Sequence, residues 1–230
     1  MVYDVAIIGC GRVGLPLGLS LKEAGANSIG IDINTEMINI VNNGKMPFYE
    51  PGYDELVKNF TIINSTTTPI PNSRVYIITV GTPLREHIET DLSQITSVID
   101  TLMQKIDIAG RLIILRSTVA PHTTKYISNY IENKTKYVLG KDYFLSMCPE
   151  RIVEGKAYEE LKTLPQIIGA EDDISFNLSK ELFERLGVKI LRGTYIEAEL
   201  SKLFTNIYRY INMSIPNYFS YIAEEFNVDI

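Results

Sequence analysis

The chain has 230 residues, enough for one large domain or for one domain and the start of another. With 45% hydrophobic and 22% charged residues it reads as an ordinary soluble globular protein. A net charge of -6 argues against a nucleic-acid binder that relies on general electrostatics, but it leaves room for a phosphate held at a helix N-terminus.

Two cysteines, Cys10 and Cys148, give no disulfide framework, and a reducing, cytoplasmic compartment is expected. The opening "MVYDVAIIG" runs straight into a strand, so no signal peptide is expected. No apolar run approaches the roughly 20 residues needed to cross a bilayer.

In chain order, "YDVAIIG" is a short apolar run that predicts a buried strand. "GRVGLPLGLSLKEAG" follows with helical spacing and stops on Gly25. "NSIGIDIN" is a second strand, and "TEMINIVNNG" a second helix stopped by Gly44. This β-α-β-α opening predicts a parallel sheet with crossover helices. The alternation continues through the strand "RVYIITVGTP", the helix "DLSQITSVIDTLMQKI", the strand "RLIILRSTVAP" and the helix "HTTKYISNYIEN". "DYFLSMCPE" is a further strand. "PQIIGA" and "VKILRG" are shorter strands with the helix "DISFNLSKELFERLG" between them. From Tyr195 the pattern becomes one long helical stretch, in which Pro216 predicts a kink or a break. "PFYEPGYDEL" and "STTTPIPNS" are the clearest loops.

Gly9, Gly11 and Gly14 stand in the spacing G-x-G-x-x-G, between a strand and a helix. The first permits a tight turn, the second lets a pyrophosphate approach the backbone, and the third lets the helix pack close to the strand. Arg12 and Val13 lie inside this loop. Asp32 ends the second strand about 20 residues on, where it can accept both ribose hydroxyls and repel a 2′-phosphate. NAD is therefore expected over NADP. Cys10 is most simply a small spacer.

Ligands of open α/β sheets collect at the carboxyl ends of strands. "VGTP", with Gly81, Thr82 and Pro83, and "RSTV", with Ser117 and Thr118, stand at such ends, and "CPERIVEG" is a third. Their amides and hydroxyls are candidates to line a cofactor. Ordinary turn chemistry explains each one alone equally well. On the long helix Lys202 and Asn206 are four residues apart and share a face, with Arg209 in the same arc.

Together these residues resemble the nucleotide-sugar dehydrogenase family, which oxidises UDP-glucose, UDP-N-acetylmannosamine or GDP-mannose to uronic acids. The resemblance runs along the chain in order: "GCGRVGLPLG", Asp32, "FYEPGYDEL", "VGTP", "RSTVAPHTT", "CPERIVEGKA", "LPQIIGA" and "ELSKLFTNIYRYIN". It implies a Rossmann-type, doubly wound parallel sheet followed by a long α-helical interdomain segment. Residues 1–192 would be the NAD-binding domain and residues 193–230 the start of a central connecting and dimerisation helix.

The family oxidises a sugar C6 alcohol twice with two NAD, through a thioester on a cysteine. The resemblance implies that Glu150 manages the protons of the hydrolytic water. Lys202 would stabilise an oxyanion or move the C6 proton, and Asn206 would fix that geometry. Thr118 and Glu154 match positions that hold the attacking water and the nicotinamide ribose region. Arg151, Ile152, Lys202, Asn206 and Arg209 are implied substrate contacts.

Two departures stand out. Met37 replaces an arginine that the family often carries near the adenosine. The family's cysteine lies in a "G-x-C" segment beyond the long helix, which neither Cys148 nor Cys10 matches, so a cofactor half without the nucleophile is expected. "PER" and "NIYRYIN" resemble the branch that acts on UDP-N-acetylmannosamine or UDP-N-acetylglucosamine, with UDP-glucose as the alternative. Arg151 would reach the substrate there, or simply pair with a carboxylate such as Glu154. A homodimer through the long helix is expected, with Leu203, Phe204, Ile207, Ile211 and Ile215 as its apolar face, and no membrane or nucleic-acid partner. Two readings compete: a non-catalytic NAD-binding and dimerisation module, and a 6-phosphogluconate or 3-hydroxyacid dehydrogenase.

Overall fold

The computed structural model describes residues 2–83 and 90–229; Met1 and Ile230, the outermost residues of the two expected domains, lie outside it. The elements are β1 Tyr3–Ile8, α1 Gly14–Glu23, β2 Ser28–Asp32, α2 Thr35–Asn42, β3 Ile62–Asn64 and β4 Ser73–Ile78. Then come α3 Ser93–Lys105, β5 Leu112–Leu115, α4 Thr123–Thr135, β6 Phe144–Met147 and α5 Ala157–Thr163. The described chain closes with β7 Gln166–Gly169, α6 Asp173–Glu184, β8 Ile190–Gly193 and α7 Tyr195–Glu225.

Among the described residues one sheet carries eight strands in the order β3-β2-β1-β4-β5-β6-β7-β8. Strand order reverses at β1, which pairs in parallel with both β2 and β4. That is the switch point at which a ligand crevice opens. Side chains alternate along each strand, so each strand feeds two cores. Val5 and Ile7 join α1, α2, α5 and α6 on one face, through Leu15, Val41, Leu161 and Phe183. Ala6 and Ile8 join α3, α4 and α7 on the other, through Ile95, Ile127 and Ala198.

The expectation of a parallel sheet holds from β3 to β6 and fails at β7. β7 meets β6 antiparallel, at Met147 and Gly169, and β8 then runs parallel to β7. The link between β6 and β7 holds only α5, a helix of 7 residues. The whole link, residues 148–165, is long enough for a parallel crossover, so its length does not set the reversal. The three-residue strand β3 and α5 lie in stretches that carry no periodicity to read. Pro216 does not break α7, which runs through it for 31 residues, about 46 Å. Around Pro216 the helix lies exposed, so a carbonyl freed by the missing N–H meets water.

α7 is fixed to the sheet by its first turns. Thr194 and Glu197 form a capping box, and the Tyr195 hydroxyl donates to the Leu145 carbonyl at 3.1 Å. Glu199, 1% exposed, accepts from the backbone N–H of His122 and Thr124 and from the Thr124 hydroxyl, and so caps α4. Among the described residues no helix is long and apolar enough to cross a membrane.

His122 enters α4 with φ 71°, a left-handed conformation that costs an L-residue about 1–2 kcal/mol. Glycine removes that cost but loses about 0.5–1 kcal/mol of entropy on folding. His122→Gly is therefore expected to stabilise the chain by about 0.5–1 kcal/mol, a rise of about 2 °C in melting temperature by calorimetry.

Candidate cofactor and catalytic site

The phosphate loop follows β1. Gly9 has φ 95°, and a Cβ at Gly14 would overlap the Gly9 carbonyl oxygen and lie 2.5 Å from Thr79 Oγ1. Both glycines are therefore required by the loop itself. A Cβ at Gly11 meets nothing within 4 Å, so this position opens onto the groove. α1 begins at Gly14 with no side-chain cap at Val13 and no acid in its first turn. Leu15 gives its N–H to the Gly11 carbonyl at 3.0 Å and Pro16 has none, so the helix offers a ligand the Gly14 N–H and the positive end of its dipole.

Asp32 is held ready at the end of β2. Its Oδ1 accepts from the N–H groups of Ile33 and Asn34 at 2.7 and 2.8 Å, and its Oδ2 from the Cys10 N–H at 2.6 Å. Asp32, Gly9, Gly11 and Gly81 line one groove of about 930 Å³, walled by apolar Ile8, Ile33, Ile70 and Val98. Carboxylate, open glycine and apolar slot suit ribose, pyrophosphate and adenine in that order, so these residues fit a dinucleotide.

At the ends of β4 and β5 the hydroxyls turn inward on the protein. Ser117 donates to the Val80 carbonyl at 2.6 Å, and Thr82 donates to the Thr118 carbonyl at 2.5 Å. They tie the two strand ends together. Thr118 itself is exposed, as are Gly81 and Pro83, and these are free to face a ligand. Arg12 and Glu154, 142 residues apart, pair at 3.2 Å, with the Arg12 guanidinium 5.3 Å from the Phe48 ring centroid.

Glu150 is the most constrained group in the site. It is 6% exposed, and Arg116, which it pairs with, is 2% exposed. Glu150 Oε2 takes both Nε, at 2.9 Å, and Nη2 of Arg116, while Oε1 takes the N–H groups of Arg151 and Ile152 at 2.6 and 3.0 Å. Arg116 also donates to the Cys148 carbonyl at 3.1 Å and to Gln166 Oε1 at 3.0 Å. The sequence reading missed Arg116. An arginine at a strand end looks solvated until β7 and α6 are seen to close over it.

Arg151 does not pair with Glu154. Its guanidinium donates to the Pro165 carbonyl, while Glu154 pairs with Arg12. Arg209 reaches back from α7 to the carbonyls of Arg151, at 2.6 Å, and Ile152, at 3.5 Å. Half-buried Lys202 lies in the field of the same group. Burial lowers its pKa; Glu150 pulls the other way, and Arg209, Arg116 and Arg151 push it further down. Asn206, one turn on, is exposed. The structure thus gathers Glu150, Arg151, Ile152, Lys202 and Arg209 into one cluster, with Arg12 and Glu154 forming a separate contact beside the phosphate loop.

Neither cysteine is placed to react. Both are fully buried, and burial pushes the Cys148 thiol up to about 12 and that of Cys10 well above the ordinary range. Alkylation with iodoacetamide at pH 8 is expected to label neither in the folded chain and both in urea, as read by mass spectrometry. Gly11→Ala is expected to fold as the wild type does, while Gly14→Ala is expected to lose the fold of the first unit, as read by circular dichroism.

The family description "UDP-glucose/GDP-mannose dehydrogenase family, NAD binding domain" matches residues 3–187. UDP-N-acetyl-D-mannosamine dehydrogenase of Pyrococcus horikoshii is 30% identical over 232 residues, 98% of this chain and 55% of that protein. The protein of the same name from Methanococcus maripaludis is 32% identical over 238 residues, 100% of this chain and 53% of its own length. A solved ternary complex of GDP-mannose dehydrogenase from Pseudomonas aeruginosa superposes with a TM-score of 0.89 at 27% identity, over 98% of this chain and 54% of that one. The chain spans about half the length of the curated relatives it matches. It belongs to the UDP-glucose/GDP-mannose dehydrogenase family, and residues 3–187 are the part that matches the family's NAD-binding domain.

Proposed function

We propose that this chain carries the cofactor side of an NAD-dependent nucleotide-sugar 6-dehydrogenase, which oxidises the C6 alcohol of a UDP-N-acetylhexosamine to the uronate. Residues 1–192 are its NAD-binding unit and residues 193–230 the beginning of a connecting helix. The observation that carries the reading is the Asp32 carboxylate, fixed by three backbone N–H groups at the rim of an open glycine loop. The relatives named above favour UDP-N-acetyl-D-mannosamine as the substrate. UDP-glucose is the second choice.

Bound NAD supplies the hydride acceptor. Gly9, Gly11, Arg12, Val13 and Gly14 hold its pyrophosphate, and Asp32 its adenosine ribose. Gly81, Pro83 and Thr118 line the nicotinamide end, braced from behind by the hydroxyls of Thr82 and Ser117, with Glu154 at the second ribose. Lys202 is the proton-moving group, since a half-buried ammonium among three guanidiniums gives up its proton more readily than a free lysine. Glu150 already accepts four hydrogen bonds, so its share is to anchor that cation cluster and the loop that carries Arg151 and Ile152. Its work on a hydrolytic water then requires one donor to move away. Asn206 and Arg209 complete the substrate side.

A second reading, a dimerisation module, is favoured by α7. Phe204, Ile207, Ile211 and Ile215 are 45–61% exposed and lie on one side of the helix at spacings of three and four. We propose a homodimer through this face, in the cytoplasm, where the two unpaired cysteines would stay reduced.

Titration calorimetry tests the first reading. The wild type is expected to bind NAD, and Asp32→Ala to weaken it about tenfold, the loss of charged-acceptor hydrogen bonds of about 1.5 kcal/mol. NADP is expected to bind more weakly than NAD to the wild type. Equal binding by wild type and variant contradicts the reading.

A further inference from the structure

A second buried carboxylate holds the far end of the Glu150 loop, the end that reaches the phosphate loop. Glu50 is 4% exposed. Its Oε2 accepts from the Gly155 N–H at 2.9 Å and its Oε1 from the Ala157 N–H at 2.8 Å. These amides flank Lys156, the residue before α5, whose side chain does not cap the helix. A carboxylate from far along the chain therefore satisfies the donors that α5 leaves open.

The turn it holds serves both halves of the site. Ile152 gives its N–H to Glu150 and its carbonyl to Arg209. Two residues later Glu154 reaches Arg12 in the phosphate loop. The segment that supplies Glu50 is itself clamped. Tyr53 is fully buried, its hydroxyl 2.8 Å from Ser20 Oγ in α1 and its ring edge-on to Tyr158 in α5, with centroids 5.4 Å apart. Gly52 leaves no slack, since a Cβ there would lie 2.7 Å from the Tyr158 ring. Residues 50–53 are thus a wedge between α1 and α5, and Glu50 is its working end.

We infer that Glu50 is a positioning residue of the cofactor site: it fixes the turn that presents Glu154 to Arg12 at the rim of the dinucleotide groove. The inference rests on the NAD reading of that groove. Glutamine cannot replace Glu50, because it keeps one acceptor oxygen and turns an NH₂ donor toward the second amide. Aspartate keeps both oxygens and shortens the reach by one methylene.

The test is a double-mutant cycle on NAD affinity, measured by calorimetry far below the melting temperature. Wild type, Glu50→Gln, Glu154→Gln and the double variant are compared, each checked for folding by circular dichroism. Glu50→Gln is expected to weaken NAD about fivefold in the wild-type background and less than about twofold once Glu154 is glutamine. Glu50→Asp is expected to recover part of the loss. A purely structural Glu50 would lower the melting temperature with NAD affinity unchanged, or weaken NAD equally in both backgrounds; either result overturns the inference. If Glu50→Gln does not fold, Glu50→Asp is carried through the same cycle with the same criterion. Failure of the wild type to bind NAD overturns the groove reading, and this inference with it. Intact wild-type binding that Asp32→Ala weakens, with no dependence on Glu154, overturns this inference alone.

Discussion

The ion pair between Arg116 and Glu150 sits where four elements must agree. Arg116 follows β5 and Glu150 follows β6. Gln166, which shares the guanidinium, opens β7, and the ring of Phe183 in α6 lies 5.3 Å from it. Both charged groups are out of water, so each is costly alone and tolerable only with its hydrogen bonds filled. The filling is nearly complete: four donors on the carboxylate, and acceptors at Glu150, Cys148 and Gln166 for the guanidinium. This junction is also where the sheet turns from parallel to antiparallel. A single pair thus holds the reversed edge of the sheet and shapes the loop on which Arg151 and Ile152 ride.

From that junction the site extends in two directions. Toward α7, Arg209 caps the carbonyls that follow Glu150, and Lys202 sits in the combined field of the cluster. The long helix thus packs into the cluster around Glu150 through Arg209 and Lys202. Toward β1, the link runs through Glu154 and Arg12 to the phosphate loop, with the 50–53 wedge behind it. The cofactor groove and the cation cluster are distinct, yet they share one loop of about eight residues, from Glu150 to Ala157. A change in that loop would be felt on both sides.

Much of the cofactor half is readable from local text. A glycine spacing, a strand that ends in an acid and an alternation of apolar runs all act within about 30 residues, so pattern reasoning captures them. Lys202, Asn206 and Arg209 were visible as one arc of a helix for the same reason, although Arg209 turns out to hold backbone carbonyls. What escaped depends on contacts distant in sequence. Arg116 reads as a solvated strand end until β7 closes over it. Glu50 lies in a Pro/Gly loop whose partners are more than 100 residues away. Glu199 looks like one more acid on a helix face, and only tertiary packing shows it capping α4. β3 and α5, of 3 and 7 residues, are too short for a period to register.

Arg116 and Glu150 act as a unit, and a double-mutant cycle on unfolding free energy in urea tests this directly. Arg116→Met and Glu150→Gln are each expected to cost about 3–5 kcal/mol, because each strands its buried partner. The double variant is expected to cost at least about 2 kcal/mol less than the sum. Losses that add to within about 0.5 kcal/mol would show two independent groups and contradict the account.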